Sequence, residues 1–461
     1  MTQIRRPSDQ EDELTRRRFL ELVSASAALA TGCSPYRPEK ILPYTESPRD
    51  VTPGVSAYYA TSLLIDGFAT GLVATTREGR PLKIEGNPAH PSSLGATGVW
   101  HQASVLELYD PDRGRAVTKG GLPASWDALE RFLQSPVADD GHKLRLLLEP
   151  TSSPLVHALL AQVKQRFPAS KVTFYAPTPG QVTGAAARAL FGAPLAPHPD
   201  LSRADVIVAL DADFLASQDL RLARGFAERR RVHGSDGVMN RVYAVEPGVS
   251  VTGSLADARL ARPARRVSLI AAALLDALKR RQDLPTDALV RLTGALDDEE
   301  RRFVRALARD LTSRAPGATV VLAGERQPAE VHVLAYALNL ALGNLGSTLS
   351  FTEQAVPETA GDQELPALAG EMRAGAVDAL LVLAGNPAYD APADLEWTQA
   401  MRAVPVTLFA GLYANETARA ATWYAPLAHP FETWGDGRAY DGTWSLVQPL
   451  IMPLHDARSA T

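Results

Sequence analysis

The side chains best placed to do chemistry in this sequence stand where apolar runs end. Asp211 and Asp213, Glu246-Pro247-Gly248, Gly324-Glu325-Arg326, Gly385-Asn386-Pro387 and Asn415-Glu416-Thr417 all follow such runs. Ligands of parallel sheets bind outside the carboxyl ends of the strands, so these are the candidate contacts. Gly385 offers unhindered backbone and Asn386 an amide to a phosphate or a base; Glu416 and Thr417 add an acceptor and a hydroxyl. Each phrase alone is also an ordinary turn. Asp211 and Asp213 could act as paired carboxylates, but a solvated strand end or a helix cap is the stronger reading of them. No Gly-x-Gly-x-x-Gly, Walker loop, Gly-x-Ser-x-Gly elbow or His-Glu-x-x-His occurs.

Metal chemistry has less to work with. Cys33 is the single cysteine among 461 residues, and the nine histidines are scattered without metal-ligand spacing. One thiol excludes a disulfide within the chain, and it excludes an all-cysteine iron–sulfur cluster, which needs about four thiolates. No catalytic residue and no metal ligand is therefore assigned.

The amino terminus carries a different signal. Arg16 and Arg17 precede Arg18-Phe19-Leu20, a weakly apolar run to Ala30, and then Thr31-Gly32-Cys33. This is the pattern of a twin-arginine export leader, and the run is far shorter than the roughly 20 apolar residues that span a bilayer. Small residues before Cys33 make it a lipid-anchor candidate; cleavage elsewhere or an uncleaved leader are the alternatives. The expected location is the periplasmic face of the bacterial inner membrane, with the chain lipid-anchored there. Composition agrees with a folded domain of ordinary type: 46% hydrophobic residues and a net charge of −5. That mild acidity gives no footprint for nucleic acid.

The elements that would position these loops follow from periodicity. Residues 1–33 read as the leader and 34–56, with five prolines, as an extended tether. A β-rich unit spans 57–123: Gly71–Thr76 alternates like a strand, Glu78-Gly79-Arg80 turns, and Pro81–Gly86 returns. Ser125 caps a helix. From there the rhythm is α/β, with unalternating apolar strands at Leu144–Leu148, Val172–Tyr175, Ala204–Asp211, Val242–Val245, Thr319–Ala323, Ala379–Ala384 and Pro405–Phe409. Such runs, separated by helices, indicate parallel strands covered on both faces. The expected fold is α/β: the β-rich domain followed by two doubly wound, Rossmann-like domains at 124–265 and 266–461, the second apparently truncated.

The order of these phrases resembles a known family. Arg77 to Pro91, Gln102 to Arg113 and Ser125-Trp126-Asp127 resemble the amino-terminal part of the molybdopterin oxidoreductase superfamily. Gly385-Asn386-Pro387, Glu416-Thr417-Ala418, Tyr424 to Leu427, and Phe431-Glu432 with Gly435 and Gly437-Arg438 resemble its third domain. The leader, Pro38 to Tyr44, Val51 to Gly54, Tyr58 to Thr61, Met239 to Glu246, Glu432 to Asp436 and Ser445 to Ile451 look like the large iron–sulfur/molybdopterin-like component of bacterial alternative complex III.

The resemblance implies that the strand-end loops descend from ones holding a cofactor's guanine dinucleotide arms. It places the first cluster cysteines between Ser62 and Leu72, where there are none, the fourth at Gly98, and a common lysine at Trp100. The expectation is a non-catalytic scaffold subunit of a membrane quinol-oxidising complex, holding no molybdenum and no iron–sulfur cluster itself. Haem and clusters would sit in its partners: a multihaem cytochrome c, a ferredoxin-like iron–sulfur part and quinol-binding integral membrane subunits. Two alternatives stay open: an active molybdopterin-dependent subunit with a non-cysteine metal ligand, or an exported nucleotide-binding lipoprotein using the loops near Gly385 and Glu416.

Overall fold

Three strands, Ser56–Ile65, Phe68–Arg77 and Arg80–Gly86, form an antiparallel meander. Both of its turns are Asp-Gly or Glu-Gly pairs with left-handed backbone: Asp66 and Gly67 at φ 51° and 82°, Glu78 and Gly79 at 52° and 75°. That is the mirror-image two-residue turn whose twist matches the flanking strands. Alternation then sorts the side chains, and Leu63, Leu72, Ala74 and Ile84 pack on the inner face against Val105, Leu108 and Phe431. The computed structural model describes residues 51–134, 140–177, 182–231, 237–278, 296–356 and 364–461. Arg16, Arg17, Cys33 and most of the tether lie outside the described residues.

Two parallel sheets make up the body. The larger has seven strands in the order Leu122–Pro123, Thr118–Lys119, Trp423–Pro426, Val406–Gly411, Ala379–Leu383, Leu144–Leu148, Lys171–Phe174. Its last five strands are mutually parallel, and the short first two are antiparallel additions at one edge. The smaller is wholly parallel, in the order Ala258–Ala261, Arg241–Glu246, Val206–Leu210, Thr319–Ala323. Among the described residues two antiparallel ribbons accompany them, Leu195–Pro199 with Leu349–Glu353 and Gly435–Arg438 with Trp444–Val447.

Each parallel sheet is covered on both faces, which is why its strands are continuously apolar. In the smaller sheet Val206, Val208 and Leu210 face helices Val267–Ala277, Asp298–Thr312 and Ala329–Ala341, while Ile207 and Ala209 face Leu222 and Phe226 of helix Leu220–Glu228. In the larger sheet Leu147, Leu380 and Val382 pack on Leu368, Trp397 and Met401, and Leu144, Leu146 and Leu148 on the helix Pro154–Arg166. The helix starts are chemically marked. Ser125 accepts a hydrogen bond from Ala128 N at 3.2 Å, and Asp297 with Glu300 forms a reciprocal capping box.

The strand pairing departs from the expected sequential split at 265. Leu144–Leu148 pairs with Ala379–Leu383, and Thr319–Ala323 pairs with Val206–Leu210, so each sheet takes strands from both expected α/β segments. Thr118–Pro123, expected in the β-rich unit, joins the edge of the larger sheet instead. Loop-closure cost rises only slowly with loop length, so a strand can recruit a neighbour hundreds of residues away when that neighbour's open edge is adjacent.

A buried ion pair pins the meander to the rest. Arg113 donates through Nη1 to Glu432 Oε1 at 3.0 Å and through Nη2 to Oε2 at 2.6 Å, with both side chains fully shielded from solvent. Arg113 Nη1 also donates to Leu108 O at 2.7 Å, and Glu432 accepts from His429 N at 2.8 Å and Leu454 N at 2.9 Å. Removing one partner leaves a charge buried and uncompensated. Arg113→Met should therefore lower stability by about 3–5 kcal/mol in denaturant unfolding. Arg113→Met with Glu432→Gln should cost less than the sum of the single changes.

Candidate functional site

Each parallel sheet has one point where strand order reverses, and a crevice opens there at the carboxyl ends. In the larger sheet it lies between Leu144–Leu148 and Ala379–Leu383. Glu149 follows the first strand and Ala384-Gly385-Asn386 the second. Ala384 and Gly385 are both left-handed, at φ 62° and 72°, so the chain turns sharply off the strand. A β-carbon at Gly385 would make an ordinary contact 3.4 Å from Glu149 Cγ, so the residue is a glycine for its backbone angle rather than for space.

The candidate residues of this crevice do come together, but they bond to one another. Asn386 Nδ2 donates to Glu416 Oε2 at 2.7 Å. Thr417 donates to Asn386 Oδ1 from its backbone N at 3.2 Å and from Oγ1 at 2.8 Å, and Thr417 Oγ1 accepts from Ala388 N at 3.1 Å. Asn415 Nδ2 closes the brace on Gly385 O at 3.1 Å and its Oδ1 caps the helix Glu416–Ala420. Pro387 is buried and opens the helical turn Pro387–Asp390. The hydrogen bond from Asn386 holds the Glu416 carboxyl below its ordinary range.

What faces the crevice instead is carboxylate. Glu149 is reached by solvent yet crowded by protein, and that partial burial pushes its carboxyl up, with Asp390 and Asp66 adding repulsion. Burial raises Asp66 and Asp390 as well, and Glu325 is raised by burial and then by Asp66. Among the described residues Asp66, Glu149 and Glu325 have no hydrogen bond or ion pair through their side chains.

In the smaller sheet the reversal lies between Val206–Leu210 and Thr319–Ala323. Gln327 Nε2 donates to Asp211 Oδ2 at 2.8 Å, and Gly324 N donates to Leu210 O at 2.9 Å. A β-carbon on Gly324 would stand 1.7 Å from Asp211 O, so the two strand ends are drawn together. Asp211 and Asp213 do not pair. Asp213 Oδ1 accepts from Thr252 N at 2.9 Å and Thr252 Oγ1 at 2.8 Å, which ties it to the first turn of helix Val251–Ser254, whose N-cap is Ser250. Glu246 accepts from Ser250 Oγ at 2.6 Å and Arg259 Nε at 2.5 Å.

The stretch between Ser62 and Leu72, where the resemblance would place cluster cysteines, is two paired strand ends joined by the two-residue Asp66-Gly67 turn, with no longer loop between them. Gly98 is the N-cap of helix Val99–Leu108, and Trp100 is 63% exposed beside it. Among the described residues no group of three or more His, Cys, Asp or Glu is placed to hold a metal ion. The side-chain donors of Asn386, Asn415 and Thr417 in the larger crevice are already bonded, and the carboxylates of Asp66 and Glu149 would repel phosphates there. The residues present do not fit such a polyanionic group.

Sequence reasoning missed Glu149 and Asp66. The second was legible: an Asp-Gly pair between two alternating apolar runs is a hairpin signal. Glu149 carried no local signal, since only the pairing of two distant strands sets it beside Gly385.

No protein-family model matches the chain. It is 25% identical over 463 aligned residues to the menaquinone reductase, molybdopterin-binding-like subunit, of Nitratidesulfovibrio vulgaris, across 90% of this chain. The chain spans 65% of that relative's length. Among solved structures, acetylene hydratase from Pelobacter acetylenicus matches with a TM-score of 0.64 at 13% identity, over 87% of this chain and 67% of that one. At this identity the likeness is one of fold, the α/β architecture of molybdopterin oxidoreductase type. The resemblance to molybdopterin oxidoreductases and the α/β fold class expected from sequence are thus borne out.

The raised carboxyls have a consequence for stability. A carboxyl raised on folding stabilises below its unfolded value of about 4, and that contribution is lost as pH rises through the folded value. Glu149→Gln should therefore stabilise the chain at pH 7.5, by at most about 1 kcal/mol after solvent screening. In urea melts the gain should vanish by about pH 4. A less stable variant at pH 7.5 would mean that Glu149 makes an attractive contact.

Proposed function

We propose that this chain is a non-catalytic, molybdopterin oxidoreductase-like scaffold subunit of a membrane-bound, quinol-linked electron-transfer complex of the alternative complex III kind. The observation that carries this reading is a mismatch. The fold extends over nearly the whole chain, yet the Asp66-Gly67 turn closes the stretch where cluster ligands would fall. The curated relative supports the setting, because it is by name a molybdopterin-binding-like subunit of a menaquinone reductase.

In this reading the chain binds no molybdenum and no iron–sulfur cluster. Electrons pass through its partners: a ferredoxin-like iron–sulfur part, a multihaem cytochrome c and quinol-binding integral membrane subunits. The doubly covered sheets serve as a rigid platform, since a fold is retained when its chemistry is lost. The twin arginines Arg16 and Arg17 direct export, and acylated Cys33 holds the chain at the periplasmic face of the inner membrane. An active molybdopterin subunit would need a non-thiolate metal ligand and room for two phosphates beside Glu149. The carboxylates there count against it.

The test is elemental and pterin analysis of the chain isolated from membranes. The expected result is substoichiometric molybdenum, no pterin, and co-purification with a multihaem cytochrome c. Molybdenum at one atom per chain would overturn the scaffold reading in favour of an active subunit. In the same cells Cys33→Ser should move chain that is free of partners from the membrane to the soluble periplasmic fraction.

A further inference from the structure

A cavity of about 270 Å³ is lined by none of the residues that brace the two strand-reversal crevices. Its walls come from segments far apart in sequence: Phe68 after the first hairpin turn, Thr352 and Glu353 on one ribbon, and Arg438, Tyr440 and Asp441 on the other. Phe68 and Tyr440 stack with ring centres 4.1 Å apart and planes 18° from parallel, forming an aromatic wall.

The polar groups on this wall are held ready rather than used. The Arg438 backbone is fixed on both sides by Ser152, with N donating to Ser152 Oγ at 2.8 Å and Ser152 Oγ donating to Arg438 O at 2.9 Å. Its guanidinium lies 4.8 Å from the Trp444 ring centre. Among the described residues that half-buried guanidinium makes no ion pair and no hydrogen bond. A planar cation so placed suits a carboxylate, to which it can donate two parallel hydrogen bonds. Asp441 Oδ1 accepts from Thr443 N at 3.0 Å, and among the described residues Oδ2 accepts no hydrogen bond, though Arg221 lies in electrostatic range of the carboxylate. The Glu353 carboxylate has no partner among the described residues.

One cation, two carboxylates and an aromatic wall around a small volume define a narrow chemistry. A simple anion would meet Glu353 and Asp441, and a simple cation would meet Arg438. A dinucleotide is too large for the space. We propose that this cavity binds a small zwitterion of the amino-acid class. Its carboxylate lies on Arg438, its ammonium between Glu353 and Asp441, and its side chain against Phe68 and Tyr440. Binding here does not require that the chain sit in an electron-transfer complex.

Calorimetric titration of the full chain with L-phenylalanine tests this, with phenylacetate and phenethylamine as probes lacking one charge each. Saturable heat is expected with L-phenylalanine, and at least about tenfold weaker binding of the other two. Arg438→Gln should weaken L-phenylalanine binding by at least about tenfold. Glu353→Gln, at an exposed position that leaves folding unaffected, should weaken L-phenylalanine while strengthening or sparing phenylacetate. Absence of saturable heat with L-phenylalanine, equal affinity for all three probes, or wild-type affinity in Glu353→Gln would overturn the proposal.

Discussion

The contact between Arg113 and Glu432 constrains the rest of this structure most tightly. Its partners are 319 residues apart, and neither side chain meets solvent. Burial alone would push the Glu432 carboxyl up, but the two guanidinium bonds and the backbone donors of Leu454 and His429 hold it below its ordinary range. It is therefore a charged pair, and a buried charge is tolerated only when nearly every lone pair is met. That requirement fixes three things together: the end of helix Val99–Leu108, the turn after strand Trp423–Pro426, and the segment at Leu454. The meander, the edge of the larger sheet and the final stretch of chain are aligned by one geometric demand.

Around that pin, apolar burial does the remaining work. Strands covered on both faces have no polar side to expose, so each sheet is determined by which helices lie over it. The same covering leaves the strand ends as the open places, and at the carboxyl ends the two reversals of strand order part the loops into crevices. Whatever chemistry the fold supports is confined to those ends and to the ribbons beside them.

The two strand-reversal crevices differ in how their side chains are occupied. In one, Asn386, Glu416 and Thr417 satisfy each other, and Glu149, Asp66 and Asp390 raise the potential cost of an anion. In the other, Gly324 and Gln327 draw the strand ends together over Asp211. Both crevices keep the backbone course expected of the fold, yet their side chains close the site rather than open it.

Much of this was legible in sequence. The strands at Leu144, Val206 and Ala379, the Ser125 cap, the Glu78-Gly79 turn and the lone Cys33 follow from local pattern, because side-chain periodicity and turn chemistry act over a few residues. So did the shortage of thiolates for an iron–sulfur cluster, which is a matter of composition. Tertiary structure alone decided that Leu144–Leu148 pairs with Ala379–Leu383, that Glu149 therefore faces Gly385, and that Arg113 meets Glu432. The physical reason is common to all three. Such contacts join segments hundreds of residues apart, and the cost of closing so long a loop scarcely depends on its length. Spacing along the chain therefore carries no record of them.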